Sequence, residues 1–208
     1  MSEAILKAVR DGFDQQLEAL RLLVNQPSHT FAREDVEEAA LLLDQLSVDT
    51  GLTVQRHAAT STQYADHRVY STPGDPGSAL GLVGHIDTVH PRSSGFLEYS
   101  HHEDVIRGPG ALDMKSGLTL VLFALRAFRE VHGNYDALPV KFICVTDEEV
   151  GSPTSRDLYD EIAPSLSAAL VFEKGRTEDR IITCRKGGGT FHVHAAGRAA
   201  HAGNAHAK

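Results

Sequence analysis

The sequence predicts an α/β fold in which helices sandwich a mostly parallel sheet, followed by the beginning of a smaller α+β domain. Two apolar, β-prone segments at 138–145 and 168–172 are separated by a helix-like segment at 155–162. Strands that alternate with helices in this way are typical of a parallel sheet covered on both faces. From about residue 180 the pattern changes, because 180–185 and 189–196 alternate like antiparallel strands.

The first part of the chain is predicted to contain two helices and two short strands. Apolar side chains recur at helical spacing over 3–25, and the sequence Asn-Gln-Pro-Ser at 25–28 ends this pattern. A second helix is predicted over 33–46, where the apolar residues share one face. Short β-prone segments follow at 53–56 and 67–71.

The middle of the chain continues the alternation of strands and helices. Residues 79–84 are typical of a buried strand, which would end next to His85. An apolar stripe over 118–128 predicts a long amphipathic helix. We place these elements in a main domain at 1–180 and the start of a second domain at 181–208.

Composition limits the class of protein. The 208 residues carry a formal net charge of −8, and their basic residues are scattered, which argues against a nucleic-acid partner. Cys144 and Cys184 lie far apart in strand-like segments, so we expect reduced thiols and no disulfide. Since no signal peptide and no membrane-spanning apolar run are evident, we expect a soluble, cytoplasmic protein that does not bind membranes.

Short acidic or histidine-bearing motifs occur along the chain, and most of them follow a strand-like segment. Because the carboxyl ends of neighbouring strands meet at one edge of an α/β sheet, we expect these side chains to share one pocket. Several carboxylates in one cavity repel each other unless cations lie among them, so the sequence predicts a metal site. The motifs are Gly-His-Ile-Asp-Thr-Val at 84–89, Ala-Leu-Asp-Met-Lys at 111–115, Thr-Asp-Glu-Glu-Val at 146–150, Val-Phe-Glu at 171–173 and Ala-His-Ala-Gly at 200–203.

His85 and Asp87 are candidates for a metal ligand and its supporting carboxylate. In an extended segment, residues two apart point to the same side. A metal-bound imidazole usually donates its other N–H to a carboxylate, and Asp87 fits that role. A buried histidine bonded to an aspartate for purely structural reasons is an equally good interpretation of these two residues alone.

Asp113 follows a glycine-rich segment that lets the backbone approach a ligand closely. Its carboxylate could bridge two cations. An aspartate just before a helix is more often an N-cap, and for Asp113 in isolation this is the better interpretation.

Glu148 and Glu149 follow the strand predicted at 138–145. Neighbouring residues in a loop can serve different purposes, so one carboxylate could bind a metal and the other could act as a general base towards water. A solvated surface turn is the ordinary alternative for such an acidic pair.

Glu173 ends the apolar segment at 168–172, where a charged side chain at the end of a buried strand needs a partner. An ion pair with Lys174 or Arg176 would provide one. Metal coordination would provide another.

Taken together and in this order, the motifs closely resemble those of the zinc metallopeptidases of metallopeptidase family 20. That family includes glutamate carboxypeptidases, acetylornithine deacetylase, succinyl-diaminopimelate desuccinylase and the aminoacylases. The resemblance extends over roughly 5–208, and the joint pattern is far more specific than any single motif. It implies a zinc-peptidase-like catalytic domain followed by a smaller lid or dimerisation domain.

The resemblance also implies a role for each matching residue. His85 and Glu173 would hold one zinc ion, Asp113 would bridge to a second, and Glu149 would bind that second ion. Asp87 would orient His85. Glu148 would be the general base, which deprotonates the attacking water and later protonates the leaving amine.

His201 matches a histidine of the family's lid domain that reaches the active site of a neighbouring subunit in a homodimer. There it would donate to the oxyanion of the tetrahedral intermediate. A surface histidine is the simpler alternative, since His192, His194 and His206 lie close by in the sequence.

The chain departs from the family pattern after the lid, because no return segment supplies a further histidine to the second zinc. That zinc would have only Asp113 and Glu149 as protein ligands, fewer than catalytic zinc usually has. We therefore expect an N-terminal fragment, with both domains incomplete, that binds zinc at one site and has little hydrolytic activity.

The expected parent activity is hydrolysis of an amide bond next to a free carboxylate by a dinuclear zinc enzyme, with Co²⁺ or Mn²⁺ as possible substitutes. The substrate would be a small peptide or an N-acyl amino acid. A glutamate carboxypeptidase is favoured over an N-acyl amino acid deacylase of the acetylornithine deacetylase or aminoacylase type. A metal-binding fragment without catalytic activity is a further alternative.

Overall fold

The computed structural model describes residues 3–73, 77–175, 180–189, 191–194 and 196–197. Contacts divide the chain into two units, Met1–Lys174 and Gly175–Lys208. Every helix and strand assigned among the described residues lies in the first unit. The division into a catalytic domain at 1–180 and a second domain at 181–208 stays a prediction.

The helices lie close to their predicted positions, with one difference. The segment predicted as a single helix at 3–25 is divided at Gly12. A π-helical turn, in which the peptide bond between Asp113 and Met114 is cis, leads into the longest helix. The helices are α1 (Glu3–Asp11), α2 (Phe13–Asn25), α3 (Arg33–Ser47), α4 (Ser116–His132) and α5 (Arg156–Ile162), and the short turns are Val48–Thr50, Arg92–Ser94, Ala111–Lys115, Glu148–Val150 and Ala163–Ser165.

The described strands form a five-stranded sheet in the order β1-β2-β6-β3-β7 and a separate hairpin, β4-β5. β3 pairs in parallel with both β6 and β7, whereas β2 pairs antiparallel with β1 and β6. Within the described part of the sheet, β2 alone therefore runs against the common direction. The strands are β1 (Thr53–His57), β2 (His67–Ser71), β3 (Ala79–His85), β4 (Ser100–His102), β5 (Val105–Arg107), β6 (Val140–Val145) and β7 (Leu166–Val171).

The central strands are buried on both faces. Along β6, Phe142 and Cys144 belong to a hydrophobic cluster with α2, α3 and α4, while Ile143 and Val145 belong to a second cluster with α5. Alternate residues of a strand point to opposite faces, so the two clusters lie on opposite sides of the sheet. The predicted α/β class, with a mostly parallel sheet between helices, is confirmed.

The strands predicted at 180–185 and 189–196 are not observed, since the described residues 180–189 and 191–194 include no strand. Ile181, Phe191 and Val193 are largely exposed. An alternating pattern produces a strand only where a partner strand and an apolar surface are available, and the described residues of the second unit include no strand that could serve as a partner. In the described part of the chain, no helix has the length and apolar character needed to span a membrane.

Two glycines allow α4 to approach the sheet. A Cβ atom at Gly84 of β3 would lie 2.5 Å from the terminal methyl carbon of Met114. A Cβ atom at Gly117 would lie 2.2 Å from the backbone carbonyl oxygen of Phe172, just after β7. The start of α4 therefore lies directly against the carboxyl ends of these strands.

Lys115 is fully buried and ties the start of α4 to the end of α2. Its ammonium group donates to the backbone carbonyls of Leu23 at 2.8 Å and Gln26 at 2.9 Å. The last carbonyls of a helix have no partner within the helix. Lys115 supplies that partner, although burial lowers its pKa to about 7.

Replacing Lys115 with methionine keeps the length of the side chain and removes both hydrogen bonds. We expect Lys115→Met to lower the free energy of unfolding by roughly 1–3 kcal/mol, because buried acceptors lose their donor. Urea unfolding measures the change as a lower midpoint at an unchanged slope. Lys7→Met, at a fully exposed lysine of α1, is the control and should change stability little. Equal midpoints for the two variants would contradict this role of Lys115.

Candidate metal centre

The register of the parallel strands brings several segments to one edge of the sheet. His85, the last residue of β3, lies beside Val145, the last residue of β6. On the other side of β3, Val83 lies beside Val171, and the N–H of Phe172 donates to the Val83 carbonyl at 2.9 Å. The same edge therefore receives the acidic residues that follow β6 and β7, namely Glu148, Glu149 and Glu173.

The two ring nitrogens of His85 have different surroundings. Nδ1 lies 3.0 Å from the backbone carbonyl oxygen of Asp87 and 3.3 Å from its carboxylate. Nε2 faces carboxylate oxygens of Glu173 at 3.2 Å, Asp113 at 3.3 Å and Glu148 at 3.8 Å. When Nδ1–H donates to Asp87, the lone pair of Nε2 is available to a metal ion.

Two overlapping sets of side chains among the described residues could each hold a metal ion. One set is His85, Asp113 and Glu149, and the other is His85, Glu148 and Glu173. In each set, the ligand atoms lie within 4.8 Å of one another. An imidazole combined with carboxylates fits Zn²⁺, Co²⁺ or Mn²⁺.

The shifts in the pKa values of the cluster reflect several negative charges that lie close together. Burial alone would lower the pKa of His85, but the hydrogen bonds and charges of Asp87 and Glu173 outweigh burial and raise the pKa to about 11. Burial raises the pKa of Glu148 and of Glu149, and the neighbouring carboxylates add to this while His85 opposes it. A divalent cation at this position would relieve the repulsion between the carboxylates.

The structure brings together the predicted site residues that it describes, but their catalytic and ligand roles stay predictions. Asp87 lies next to the cluster and is fully buried. His201 lies outside the described residues. The residues that meet around Nε2 of His85 are Asp113, Glu148, Glu149 and Glu173.

The N-cap interpretation of Asp113 is wrong, and the ion pair between Glu173 and Lys174 is not observed. Asp113 is not the N-cap of α4, since Lys115 precedes the first residue of that helix. Its carboxylate instead faces His85 and accepts from the ammonium group of Lys174 at 3.3 Å. The ion pair of Lys174 is therefore with Asp113 and not with its neighbour Glu173. Arg176, the other partner considered for Glu173, lies outside the described residues.

Asp87 connects more segments than the sequence predicted, which was a contact with His85 alone. Its carboxylate accepts hydrogen bonds from the backbone N–H groups of Glu148 at 3.3 Å and Glu149 at 3.2 Å. It also accepts from the hydroxyl of Thr30 at 2.8 Å. Thr30 belongs to the loop between α2 and α3, and no local pattern in the sequence connects it with Asp87.

A second buried carboxylate supports the turn Glu148–Val150 from the other side. Oδ2 of Asp147 accepts from the N–H and the hydroxyl of Thr154 at 2.6 and 2.7 Å, and from the N–H of Ser155 at 3.2 Å. The Thr154 hydroxyl also lies 3.1 Å from Nε2 of His67. Sequence reasoning missed this network, because its members come from separate segments.

The fold and this cluster together place an imidazole and several carboxylates at the carboxyl ends of α/β strands, an arrangement typical of metal-dependent hydrolases. The chain belongs to peptidase family M20/M25/M40, whose family model matches residues 81–205. The family resemblance expected from the motifs is thus confirmed.

Curated relatives include a carboxypeptidase and a desuccinylase. Carboxypeptidase G2 of Pseudomonas sp. (strain RS-16) is 30% identical over 205 residues, which cover 97% of this chain and 49% of the relative. Succinyl-diaminopimelate desuccinylase of Methylorubrum extorquens (strain PA1) is 31% identical over 133 residues, covering 61% of this chain and 34% of the relative. The chain spans about half the length, or less, of these relatives.

Solved structures share the fold at lower sequence identity. Human carnosine dipeptidase 1 superposes with a TM-score of 0.70 at 18% identity, covering 81% of this chain and 40% of that one. The M20 family metallo-carboxypeptidase Sso-CP2 from Sulfolobus solfataricus gives a TM-score of 0.66 at 20% identity, covering 79% and 39%. Both similarities support the α/β architecture.

His67 of the buried network is placed to make stability depend on pH. Its Nδ1 and Nε2 lie 3.1 Å from the hydroxyl oxygens of Thr146 and Thr154. Burial lowers the pKa of His67 and outweighs the charges that act on the ring. Those that raise the pKa are Asp147, Asp66 and Asp87, and His57 lowers it.

Since the pKa of His67 is lower in the folded protein, the unfolded chain takes up a proton at higher pH than the folded chain does. We expect wild type to lose stability relative to His67→Gln as the pH falls through about 6.5, the usual histidine value. Thermal unfolding without added metal, at a series of pH values, measures the difference. His102→Gln, at an exposed histidine, should follow the wild-type profile, and parallel profiles for wild type and His67→Gln would contradict the expectation.

Proposed function

We propose that this chain contributes the metal-binding half of a dinuclear zinc amidohydrolase, which cleaves an amide bond next to a free carboxylate. The observation that carries the proposal is Nε2 of His85, which faces the carboxylates of Asp113, Glu148 and Glu173 within 3.8 Å. Membership of the peptidase family and the carboxypeptidase relative support the same activity.

The proposed ligands are divided between two ions. His85 and Glu173 would hold the first zinc, Asp113 would bridge, and Glu149 would bind the second. Bound zinc would polarise the scissile carbonyl and increase the acidity of water. Asp87 would keep Nε2 of His85 directed at the first ion, because Asp87 contacts the opposite nitrogen of the ring.

Glu148 is the proposed general base. Its side chain remains 47% exposed, so substrate and water can reach it. Burial and the neighbouring carboxylates raise the pKa of Glu148, which favours a group that takes a proton from water and then returns it to the leaving amine. His201 is proposed to donate to the oxyanion that forms in between.

The proposed substrate is a small peptide that loses its C-terminal residue, which the carboxypeptidase relative supports. We propose glutamate as that residue, because the motifs resemble the glutamate carboxypeptidases of the family. The desuccinylase relative favours the second candidate, hydrolysis of an N-acyl amino acid. Rates on a folate-type glutamate conjugate and on an N-acetyl amino acid, compared side by side, separate the two. We further propose a cytoplasmic protein that forms a homodimer through the domain after residue 180.

Zinc binding is the first test of the proposal. After dialysis against zinc-free buffer, we expect wild type to retain about one zinc ion per chain, because the site centred on His85 has three protein ligands. His85→Ala should retain almost none, since it loses the only imidazole of the cluster within the described residues. Elemental analysis measures the content, with His102→Ala as the matched control. Equal zinc in wild type and His85→Ala would reject the site.

A second test distinguishes the base from a ligand, since Glu148 and Glu173 both lie near Nε2 of His85. If Glu148 is the base, Glu148→Gln should bind zinc as wild type does. Glu173→Gln should bind zinc about 10-fold or more weakly, because it loses a charged ligand. Competition with a chromophoric chelator measures both affinities. A large loss of affinity in Glu148→Gln would assign Glu148 as a ligand instead.

A further inference from the structure

The turn that carries the candidate base and one candidate ligand is held from both sides by buried carboxylates. On one side, Asp87 accepts from the N–H groups of Glu148 and Glu149 at 3.3 and 3.2 Å. On the other side, Asp147 accepts from Thr154 at 2.6 and 2.7 Å. Asp147 also accepts from the N–H of Ser155, so it connects the turn to the residues that lead into α5.

The segment between Asp147 and Thr154 needs such support. Ser152 has a left-handed backbone with φ of 57°, which is unfavourable for a residue that has a Cβ atom. Its N–H donates to the carbonyl of Asp147 at 3.0 Å, and the N–H of Gly151 donates to the carbonyl of Glu148 at 2.8 Å. The conformation of the segment between Asp147 and Thr154 is therefore stabilised by hydrogen bonds at its two ends.

All the side-chain hydrogen bonds of Asp147 fall on one oxygen. Oδ2 accepts from Thr154 and Ser155, whereas Oδ1 is buried and accepts from no described residue. A buried carboxylate with an incomplete set of donors is sensitive to the loss of any one of them. The Thr154 hydroxyl is the one side-chain donor to Asp147 among the described residues.

His67 packs against that hydroxyl. Its Nε2 lies 3.1 Å from the Thr154 hydroxyl oxygen, and its Nδ1 lies 3.1 Å from the Thr146 hydroxyl oxygen. The Thr154 hydroxyl has one proton, which it donates to Oδ2 of Asp147 at 2.7 Å. His67 therefore contacts the same oxygen that is bonded to Asp147.

We propose that Thr154 is a positioning residue: its hydroxyl and N–H hold Asp147 and thereby fix the Glu148–Val150 turn in the geometry that binds metal. The inference rests on the proposed function, because the turn matters for metal binding only if the cluster around His85 holds an ion. Thr154 itself is buried and is not among the described side chains that could hold a metal ion.

The test compares two substitutions in the full 208-residue chain. Thr154→Val keeps the shape of the side chain and removes the hydroxyl, whereas Thr154→Ser keeps the hydroxyl. Titration with Co²⁺, followed by visible absorption at a temperature where all variants are folded, measures affinity. We expect Thr154→Val to bind about 10-fold more weakly than wild type, in the range known for residues that support metal ligands. Thr154→Ser should restore most of the affinity.

Amide hydrogen exchange of the metal-free protein gives a readout that does not require a metal. Peptides covering 147–155 should exchange faster in Thr154→Val than in Thr154→Ser, while peptides from α2 should exchange alike in both. If Thr154→Val does not fold, Thr154→Ala removes the hydroxyl without introducing a methyl group next to Asp147.

The outcomes separate the inference from the proposed function. A lower melting temperature of Thr154→Val with unchanged Co²⁺ affinity and unchanged exchange over 147–155 would show a merely structural role and overturn the inference. Absence of Co²⁺ binding by wild type would overturn the proposed function. The exchange comparison would then decide on its own whether Thr154 holds the turn.

Discussion

The common direction of β3, β6 and β7 is the constraint on which the candidate metal centre depends. His85 ends β3 at the level where β6 ends, and β7 ends close to the same level on the other side. Sliding one strand by a single residue would turn its side chains to the opposite face of the sheet. The imidazole and the carboxylates would then no longer share one space. The apolar clusters on both faces of the sheet are what keep this register fixed.

Among the described residues, the cluster around His85 contains fewer cationic side chains than carboxylates. His85 and Lys174 are the described cationic side chains that contact Asp113. A proton and a metal ion compete for the same nitrogen of His85. A protonated ring in contact with the carboxylates would balance these charges, and so would a metal ion bound among them. Asp87 contacts the other nitrogen of the ring and keeps the ring in place.

The sequence predicted the parts of the site that follow from strand patterns. His85 and Glu173 each follow a short apolar run, and the α/β alternation brings such positions to one edge of the sheet. Asp113 could be assigned to the site only from its combination with the other motifs, because its own local pattern favoured a helix cap. Thr30 and Thr154 could not be predicted, since each acts through a tertiary contact with an aspartate and neither belongs to a periodic pattern. The strands expected after residue 180 were predicted but are not observed among the described residues. An alternating pattern without a partner strand does not produce a strand.

Gly117 shows how little space separates the start of α4 from the end of β7. A methyl group at this position would overlap with the backbone carbonyl of Phe172, and backbone atoms cannot turn aside as a flexible side chain can. Asp113 lies shortly before Gly117, and Glu173 directly follows Phe172. A residue with a side chain at 117 would force the segments that carry these two carboxylates to shift relative to each other, so a single missing carbon atom allows the two candidate ligands to approach the same space.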